Sequence, residues 1–174
     1  DAHAAHAVQG LEDDVFVLGM KPFDLRRIAR HHQPHVVTPH GNARWVRSAS
    51  TSFGIDELGW GDSLDHKGLA IHLTPALHWS KRGFFDANTA LWGAFVVEAP
   101  GGPIYFAADT GFGTGSTFAE VRERFGAPRL SLLPIGAYEP RWFMHPQHMN
   151  PEEAVKAHKI LESRASRPWS RTLP

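Results

Sequence analysis

Two of the three loops that follow predicted strands carry side chains able to hold a metal ion. His78 lies in "TPALHWSKR", and Asp109 follows the apolar strand "IYFAA" and precedes "TGFGTG". The third loop, "PIGAYEPRWFMHPQHMNPEE", shows only turn and aromatic signals. Residues at the ends of neighbouring strands meet at one edge of a sheet, so a histidine and an aspartate there could share a metal ion. On spacing alone, a solvated histidine and an aspartate that caps a turn are the alternative.

The composition narrows the kinds of site that the chain can build. The 174 residues contain no cysteine, so a transition-metal site would need His, Asp or Glu ligands. The 12 histidines are numerous, but most show no ligand spacing and fit a scattered surface distribution. Because 18 basic side chains balance 18 acidic ones, a nucleic-acid partner held by net charge is not expected.

The elements that must position these loops alternate between strands and helices. Apolar or alternating runs predict strands at 13–18, 35–39, 69–77, 91–100, 103–109 and 130–136. Helical spacing predicts helices at 23–32, 41–49, 116–126 and 150–164, and turn residues predict a loop at 57–68. The glycine pair at 101–102 makes 91–109 a β-hairpin. The predicted fold class is therefore α/β, with an α+β-type mixed sheet layered with helices.

Local signals predict where the helices begin and end. Asn42 and Ser116 are the expected N-caps of the helices at 41–49 and 116–126. Gly126 is expected to end the second of these helices. Asn150 is expected to cap the helix at 150–164, with Pro151 in its first position.

The chain shows neither a membrane span nor a signal peptide. No apolar run approaches the ~20 residues that a transmembrane helix needs, and the N-terminal "DAHAAHAVQG" lacks an apolar stretch. A cytoplasmic or membrane-peripheral location is the resulting prediction. The chain also lacks an initiator methionine, which is typical of a fragment or a processed product. We expect an N-terminal extension over 1–12, a domain over 13–164 and an irregular, frayed tail over 165–174.

Several long and unusual strings resemble the metallo-β-lactamase superfamily. They are "TPALHWSKR", "LWGAFVVEAPGGPIYFAADTGF" and "PIGAYEPRWFMHPQHMNPEEAVKAH". Within the superfamily, they resemble the branch of N-acyl-phosphatidylethanolamine-hydrolysing phospholipase D and its bacterial relatives. The similarity extends upstream through "DLRRIARHHQPHVVTPHGNARWV" and covers residues 13–164.

This resemblance implies an αββα sandwich, here partial, with a two-zinc centre that hydrolyses a phosphodiester. It implies that His78 is a ligand of one zinc and that Asp109 bridges both. His148 would contact the substrate or the transition state, and Gln147 and Arg141 would bind substrate. In such a centre the two cations polarise the phosphoryl oxygens and lower the pKa of a bound water.

The chain departs from the family pattern at the remaining ligands. The family's H-x-H-x-D-H loop should follow the first strand, but no histidine lies between Phe16 and Arg30. The family's final ligand lies in an "HWGTF" string, whereas here "SRPWSRTLP" has no histidine before Trp169. Ala108 replaces the family's glycine before the aspartate. Two ligands are thus recognisable, fewer than the three that a catalytic zinc normally takes.

Three interpretations follow from this pattern. The first is a zinc-dependent phosphodiesterase that acts on a phospholipid or another phosphodiester, with peripheral membrane contact. The second is an inactive remnant or binding module with the same half-fold, which self-associates through exposed sheet. In the third, another chain supplies the missing loop.

Other side chains have two interpretations each. Arg82 and Arg141 could contact phosphate or form surface ion pairs. Five aromatic side chains could line a groove for an acyl chain or belong to the core; they are Phe84, Phe85, Trp92, Trp142 and Phe143.

Overall fold

The computed structural model describes residues 15–16, 26, 34–49, 53–81 and 83–169. The chain divides into two units, which we treat separately: a first unit of residues 1–59 and 80–91, and a second of residues 60–79 and 92–174. No helix within the described ranges is long and apolar enough to cross a membrane. The predicted extension over 1–12 lies outside the described residues, as does the predicted helix over 23–32 except for Arg26.

The first unit contains a three-stranded parallel sheet in the order β1-β2-β3. Its strands are β1 (Val15–Phe16), β2 (His35–Pro39) and β3 (Gly54–Leu58), and α1 (Ala43–Ala49) connects β2 to β3. Val46 of α1 is buried with Val36 and Phe53. The predicted strand at 35–39 and the helix at 41–49 are confirmed.

Glu57 of β3 supports the start of α1. Its Oε1 accepts a hydrogen bond from the Ala43 amide at 2.7 Å. The first amides of a helix lack partners within the helix, so this bond satisfies one of them. Asn42, the expected cap, donates from its side-chain amide to the Pro39 carbonyl at 2.7 Å and so fixes the turn before α1.

The second unit is built on a six-stranded mixed sheet in the order β4-β5-β6-β7-β8-β9. Its strands are β4 (Ser63–His66), β5 (Leu69–Thr74), β6 (Ala94–Glu98), β7 (Ile104–Phe106), β8 (Leu130–Leu133) and β9 (Ser166–Pro168). Neighbours from β4 to β7 are antiparallel, and β7, β8 and β9 are parallel. Pairing of Phe95 with Phe106 confirms the predicted hairpin. The mixed α/β sheet is confirmed as well.

Helices α2 (Ser116–Phe125) and α4 (Pro151–Leu161) share an apolar core with this sheet. Tyr105 of β7 meets Phe118 of α2 edge to face, with ring centroids 6.4 Å apart. Asn150 caps α4 by accepting the Glu153 amide, and the Glu153 carboxylate in turn accepts the Asn150 amide. This capping box and Pro151 at the helix start confirm the predicted beginning of α4.

Two predictions of local structure are wrong. Ser116 does not cap α2: Gly115 is the N-cap, with φ +85°, and no side chain bonds to the first turn. A left-handed residue there is easiest for glycine, so the turn geometry, not a hydroxyl, sets the start of α2. The stretch 57–68 is not a continuous loop, because β3 continues to Leu58 and β4 covers 63–66 as one arm of a hairpin with β5.

The predicted irregular tail over 165–174 is also wrong for its first half. Residues 166–168 form β9, which pairs in parallel with β8. The Trp169 indole explains this order: its Nε1 donates to the Ala108 carbonyl at 3.2 Å, and its ring meets Phe106 edge to face at 4.9 Å. A stretch without periodicity is therefore ordered by one anchored aromatic ring. Residues 170–174 lie outside the described part.

Ala108, at the end of β7, adopts a backbone conformation that alanine rarely takes. Its φ is +55°, and the residue is buried. The left-handed region costs an L-residue about 1–2 kcal/mol because Cβ approaches the following carbonyl oxygen. This strained residue directly precedes Asp109, so the turn at Ala108 affects where the Asp109 carboxylate lies.

We expect Ala108→Gly to leave the free energy of unfolding within about 0.5 kcal/mol of wild type, because relief of strain offsets the added freedom of the unfolded chain. Ala107→Gly is the matched control, since Ala107 is equally buried but has no positive φ. It should destabilise by about 1 kcal/mol. Urea unfolding followed by circular dichroism measures both. Equal losses for the two variants would contradict strain at Ala108.

Candidate active site

The three loops of interest leave one edge of the second unit's sheet. β5 runs parallel to β7, because each is antiparallel to β6, and β7 runs parallel to β8. The carboxyl ends of β5, β7 and β8 therefore lie on the same side. His78 follows β5, Asp109 follows β7, and His148 lies in the connection from β8 to α4.

Thr110 joins all three loops. Its hydroxyl oxygen accepts the Leu77 amide at 2.9 Å, and its carbonyl accepts the Met149 amide at 3.1 Å. The Gly111 amide donates back to the Leu77 carbonyl at 2.9 Å. Thr110 is 1% exposed, so these bonds are shielded from water and costly to lose. Each candidate side chain is next in sequence to a residue of this network: His78 follows Leu77, Asp109 precedes Thr110, and His148 precedes Met149.

Gly111 lets the loop that carries Asp109 approach the loop that carries His148 closely. A Cβ at this position would lie 2.7 Å from the Pro146 carbonyl carbon and would collide with its oxygen. The Gly111 position therefore excludes any side chain, because the obstacle is backbone that cannot rotate away. In the "DTG" string, Asp109 supplies the carboxylate, Thr110 joins the loops, and Gly111 leaves room for two loops to contact each other.

The two ring nitrogens of His78 differ in their hydrogen bonding to the described residues. Its Nδ1 lies 2.7 Å from the Trp79 carbonyl, to which it donates. Its Nε2 is buried and has no hydrogen-bond partner among the described residues. In the neutral imidazole, donation from Nδ1 leaves the lone pair on Nε2, which is the arrangement of a metal-binding histidine. A buried nitrogen without a partner is costly, and a ligand or a proton donor would relieve that cost.

His148 lies against His78. The two rings meet edge to face with centroids 5.1 Å apart, and Nδ1 of His148 is buried with no hydrogen-bond partner in the described part of the chain. Burial lowers the pKa of His148, and the neighbouring His78 lowers it further, while the Asp109 carboxylate raises it. The net shift is downward, which favours a neutral imidazole at neutral pH. The charge of Asp109 acts on His148, so the three side chains share one local electrostatic environment.

The Asp109 carboxylate is partly buried at the end of β7. Its side chain forms no hydrogen bond or ion pair with the described residues, so its oxygens are free to accept a ligand. The alternative role of an aspartate that caps the following turn is not what the described contacts show.

Arg141 and Gln147, the predicted substrate-binding residues, both bond to other parts of the site. Arg141 donates to both Glu153 oxygens at 2.8 and 2.9 Å and to the His148 carbonyl at 3.0 Å. Its charge is thus largely satisfied, and it holds the His148 backbone. Gln147 accepts the Trp79 indole N–H through Oε1. Arg82, the other predicted phosphate contact, lies outside the described residues.

The exposure of the aromatic side chains decides between core and surface. Phe84 and Phe85 are 93% and 100% exposed, and Trp142 and Phe143 are 84% and 57% exposed. The core interpretation is therefore wrong for these four. Trp142 and Phe143 lie on the short helix α3 (Arg141–Met144), within the connection that carries His148. Trp92 is half-buried and donates to the Ala76 carbonyl at 2.9 Å, two residues before His78.

The described ranges of the chain do not hold a complete set of metal ligands. No group of three or more His, Asp or Glu side chains among these residues is arranged to hold a metal ion. A complete two-metal centre therefore does not fit the described residues. The free Nε2 of His78 and the unpaired Asp109 carboxylate each suit a ligand's role. Nothing in the donor set selects zinc over another divalent transition metal.

Sequence reasoning missed Thr110 and Glu153 as residues of this site. Thr110 stands next to the predicted aspartate, and a buried threonine in a strand-end turn is the signal that was available. Glu153 lies in the first turn of α4, and its pairing with Arg141 depends on a contact twelve residues away. No local pattern encodes that contact.

Comparison with known proteins agrees with this geometry. The β-lactamase superfamily domain matches residues 22–168. N-acyl-phosphatidylethanolamine-hydrolyzing phospholipase D 1 of Caenorhabditis elegans is 39% identical over 74% of this chain and 38% of its own length. Its mitochondrial counterpart in Saccharomyces cerevisiae is 41% identical over 75% of this chain and 29% of its own. The chain thus spans less than two fifths of either relative.

Solved structures show the same fold at low identity. A metallo-β-lactamase fold protein from Bacillus subtilis superposes with a TM-score of 0.58 at 12% identity, over 87% of this chain and 59% of that one. The short form of human tRNase Z also gives 0.58 at 13% identity, over 93% of this chain and 76% of that one. With a matching family domain over most of its length and this fold, the chain belongs to the metallo-β-lactamase superfamily.

Proposed function

We propose that this site takes part in metal-dependent hydrolysis of a phosphodiester bond, with a phospholipid as the substrate class. The observation that carries the proposal is the buried Nε2 of His78, which has no partner among the described residues, next to a His148 ring that senses the Asp109 charge. Support for the substrate class comes from the two relatives that are named as phospholipases D.

Each side chain has a separate task in this proposal. His78 and Asp109 would hold the metal, His78 through its Nε2 and Asp109 through its carboxylate. Divalent cations, when bound, supply electrophilic stabilisation of the phosphoryl oxygens. His148, held neutral by burial, contacts the substrate by hydrogen bonding. Gln147 and Arg141 act by fixing Trp79 and the His148 backbone.

The exposed aromatics of α3 support contact with a lipid surface. Trp142 and Phe143 project from a turn whose first residue, Arg141, is fixed by Glu153. Large exposed aromatic rings favour the boundary between water and acyl chains. Peripheral membrane contact at α3 would bring a phospholipid headgroup towards His148, which belongs to the same connection.

An inactive member with the same fold is the second candidate. It is favoured by the absence of a group of three metal-binding side chains among the described residues. The lack of histidine between Phe16 and Arg30, where the first ligand loop is expected, points the same way. In that case the free donors of His78 and Asp109 are the remains of an ancestral centre.

We expect the purified chain to bind a divalent transition metal, and His78→Ala and Asp109→Ala each to weaken binding about tenfold or more, because each removes a donor. Elemental analysis and titration calorimetry with zinc, manganese and ferrous iron measure this. His40→Ala is the control, since that side chain is 74% exposed and belongs to the first unit. Metal affinity that is equal in all four proteins would contradict the assignment.

Hydrolysis provides the separate test of activity. With metal present, we expect turnover of bis(p-nitrophenyl) phosphate and of dispersed N-acyl-phosphatidylethanolamine. Asp109→Asn should lower kcat/KM by about 100-fold or more, and His148→Ala by a similar factor. The control Asp65→Asn changes an exposed carboxylate of β4. A folded chain that hydrolyses neither substrate with any metal would favour the inactive interpretation.

A further inference from the structure

A groove of about 300 Å³ opens beside α4, apart from the residues of the candidate site. Its apolar lining includes Leu133 at the end of β8, Ile135 just after that strand, and Ala154 and Val155 of α4. Leu133 and Ala154 are buried, whereas Val155 is 54% exposed. An exposed valine within an otherwise apolar trough leaves apolar surface in water, and a ligand could cover it.

One rim of this groove is polar and cationic. Arg167 of β9 lines it, and its guanidinium forms no ion pair or hydrogen bond with the described residues. His158 lies beside it, with Nδ1 2.8 Å from the Ser166 hydroxyl. The groove's lining includes no acidic residue, so the positive charge of Arg167 is not neutralised locally.

We propose that this groove binds a single-chain amphiphile with an anionic carboxylate head, such as a medium-chain fatty acid. The acyl chain lies along the apolar walls, and the carboxylate pairs with Arg167 next to the His158–Ser166 pair. Apolar burial drives such binding, and the guanidinium fork suits a carboxylate in geometry and charge. A volume of about 300 Å³ is at the small end of ligand sites, which favours one short chain over a diacyl lipid.

Charge complementarity excludes other occupants of similar shape. A cationic amphiphile would be repelled by the Arg167 guanidinium, and a neutral one would leave that cation without a partner among the described residues. A second copy of the chain or a segment of the same chain in the groove would prevent an added amphiphile from binding.

The experiment is titration calorimetry of sodium decanoate, below its micelle concentration, into the full chain. We expect saturable binding that Val155→Trp weakens about tenfold or more, because the larger ring fills the trough. Arg167→Gln should weaken binding about fivefold, as for a partly exposed ion pair. Lys156→Trp is the matched control: Lys156 is an exposed neighbour on the same helix that does not line the groove, and it should bind decanoate as wild type does.

Ligands that differ only in the head group complete the test. Decanol and decyltrimethylammonium should each bind about fivefold or more weakly than decanoate, because neither head group can form an ion pair with Arg167. Equal binding of all three ligands, unchanged binding by Val155→Trp, or no binding of decanoate to the wild-type chain would each overturn the proposal. Asp109→Ala should bind decanoate normally, so the outcome does not depend on the proposed hydrolysis.

Discussion

The hydrogen bonds of Thr110 are the constraint on which the candidate site depends. Its hydroxyl binds the loop after β5, and its carbonyl binds the loop before α4, while its own backbone continues from Asp109. A buried polar residue whose bonds are all made rigidifies its surroundings, because breaking any one leaves an unsatisfied group. Three loops from three strands thereby become one surface. Gly111 and Ala108, on either side, supply the close approach and the sharp turn that this surface requires.

A second set of contacts fixes the His148 connection from the other side. Glu153 is 9% exposed and lies on the first turn of α4, where it closes the capping box with Asn150 and also receives both bonds from Arg141. Arg141 then reaches the His148 carbonyl. Removal of Glu153 would leave a partly buried guanidinium without its partner, which is a large cost in a protein interior. The cap of one helix and the position of a candidate site residue therefore depend on a single carboxylate.

The sequence predicted the elements whose signals are local. The capping box of α4, the glycine-linked hairpin of β6 and β7, and the buried strands follow from spacing and turn chemistry, and the structure confirms them. Ser116 and the tail failed because their outcome depends on context: a left-handed Gly115 starts α2, and a Trp169 indole anchors β9 through contacts with residues more than sixty positions away. The placement of His78 and Asp109 at one edge of the sheet could be predicted from their positions after strands. The contact between His78 and His148, and the role of Thr110, could not, because they depend on the meeting of distant loops.

We propose that His78 and Asp109 jointly bind a divalent metal beside His148. Anomalous diffraction at the zinc edge, from crystals of the purified chain soaked in zinc, shows directly where the metal lies. We expect an anomalous peak within bonding distance of both His78 Nε2 and an Asp109 carboxylate oxygen. A structure in which no peak touches these two atoms, with His78 Nε2 bonded to protein or water instead, would contradict it.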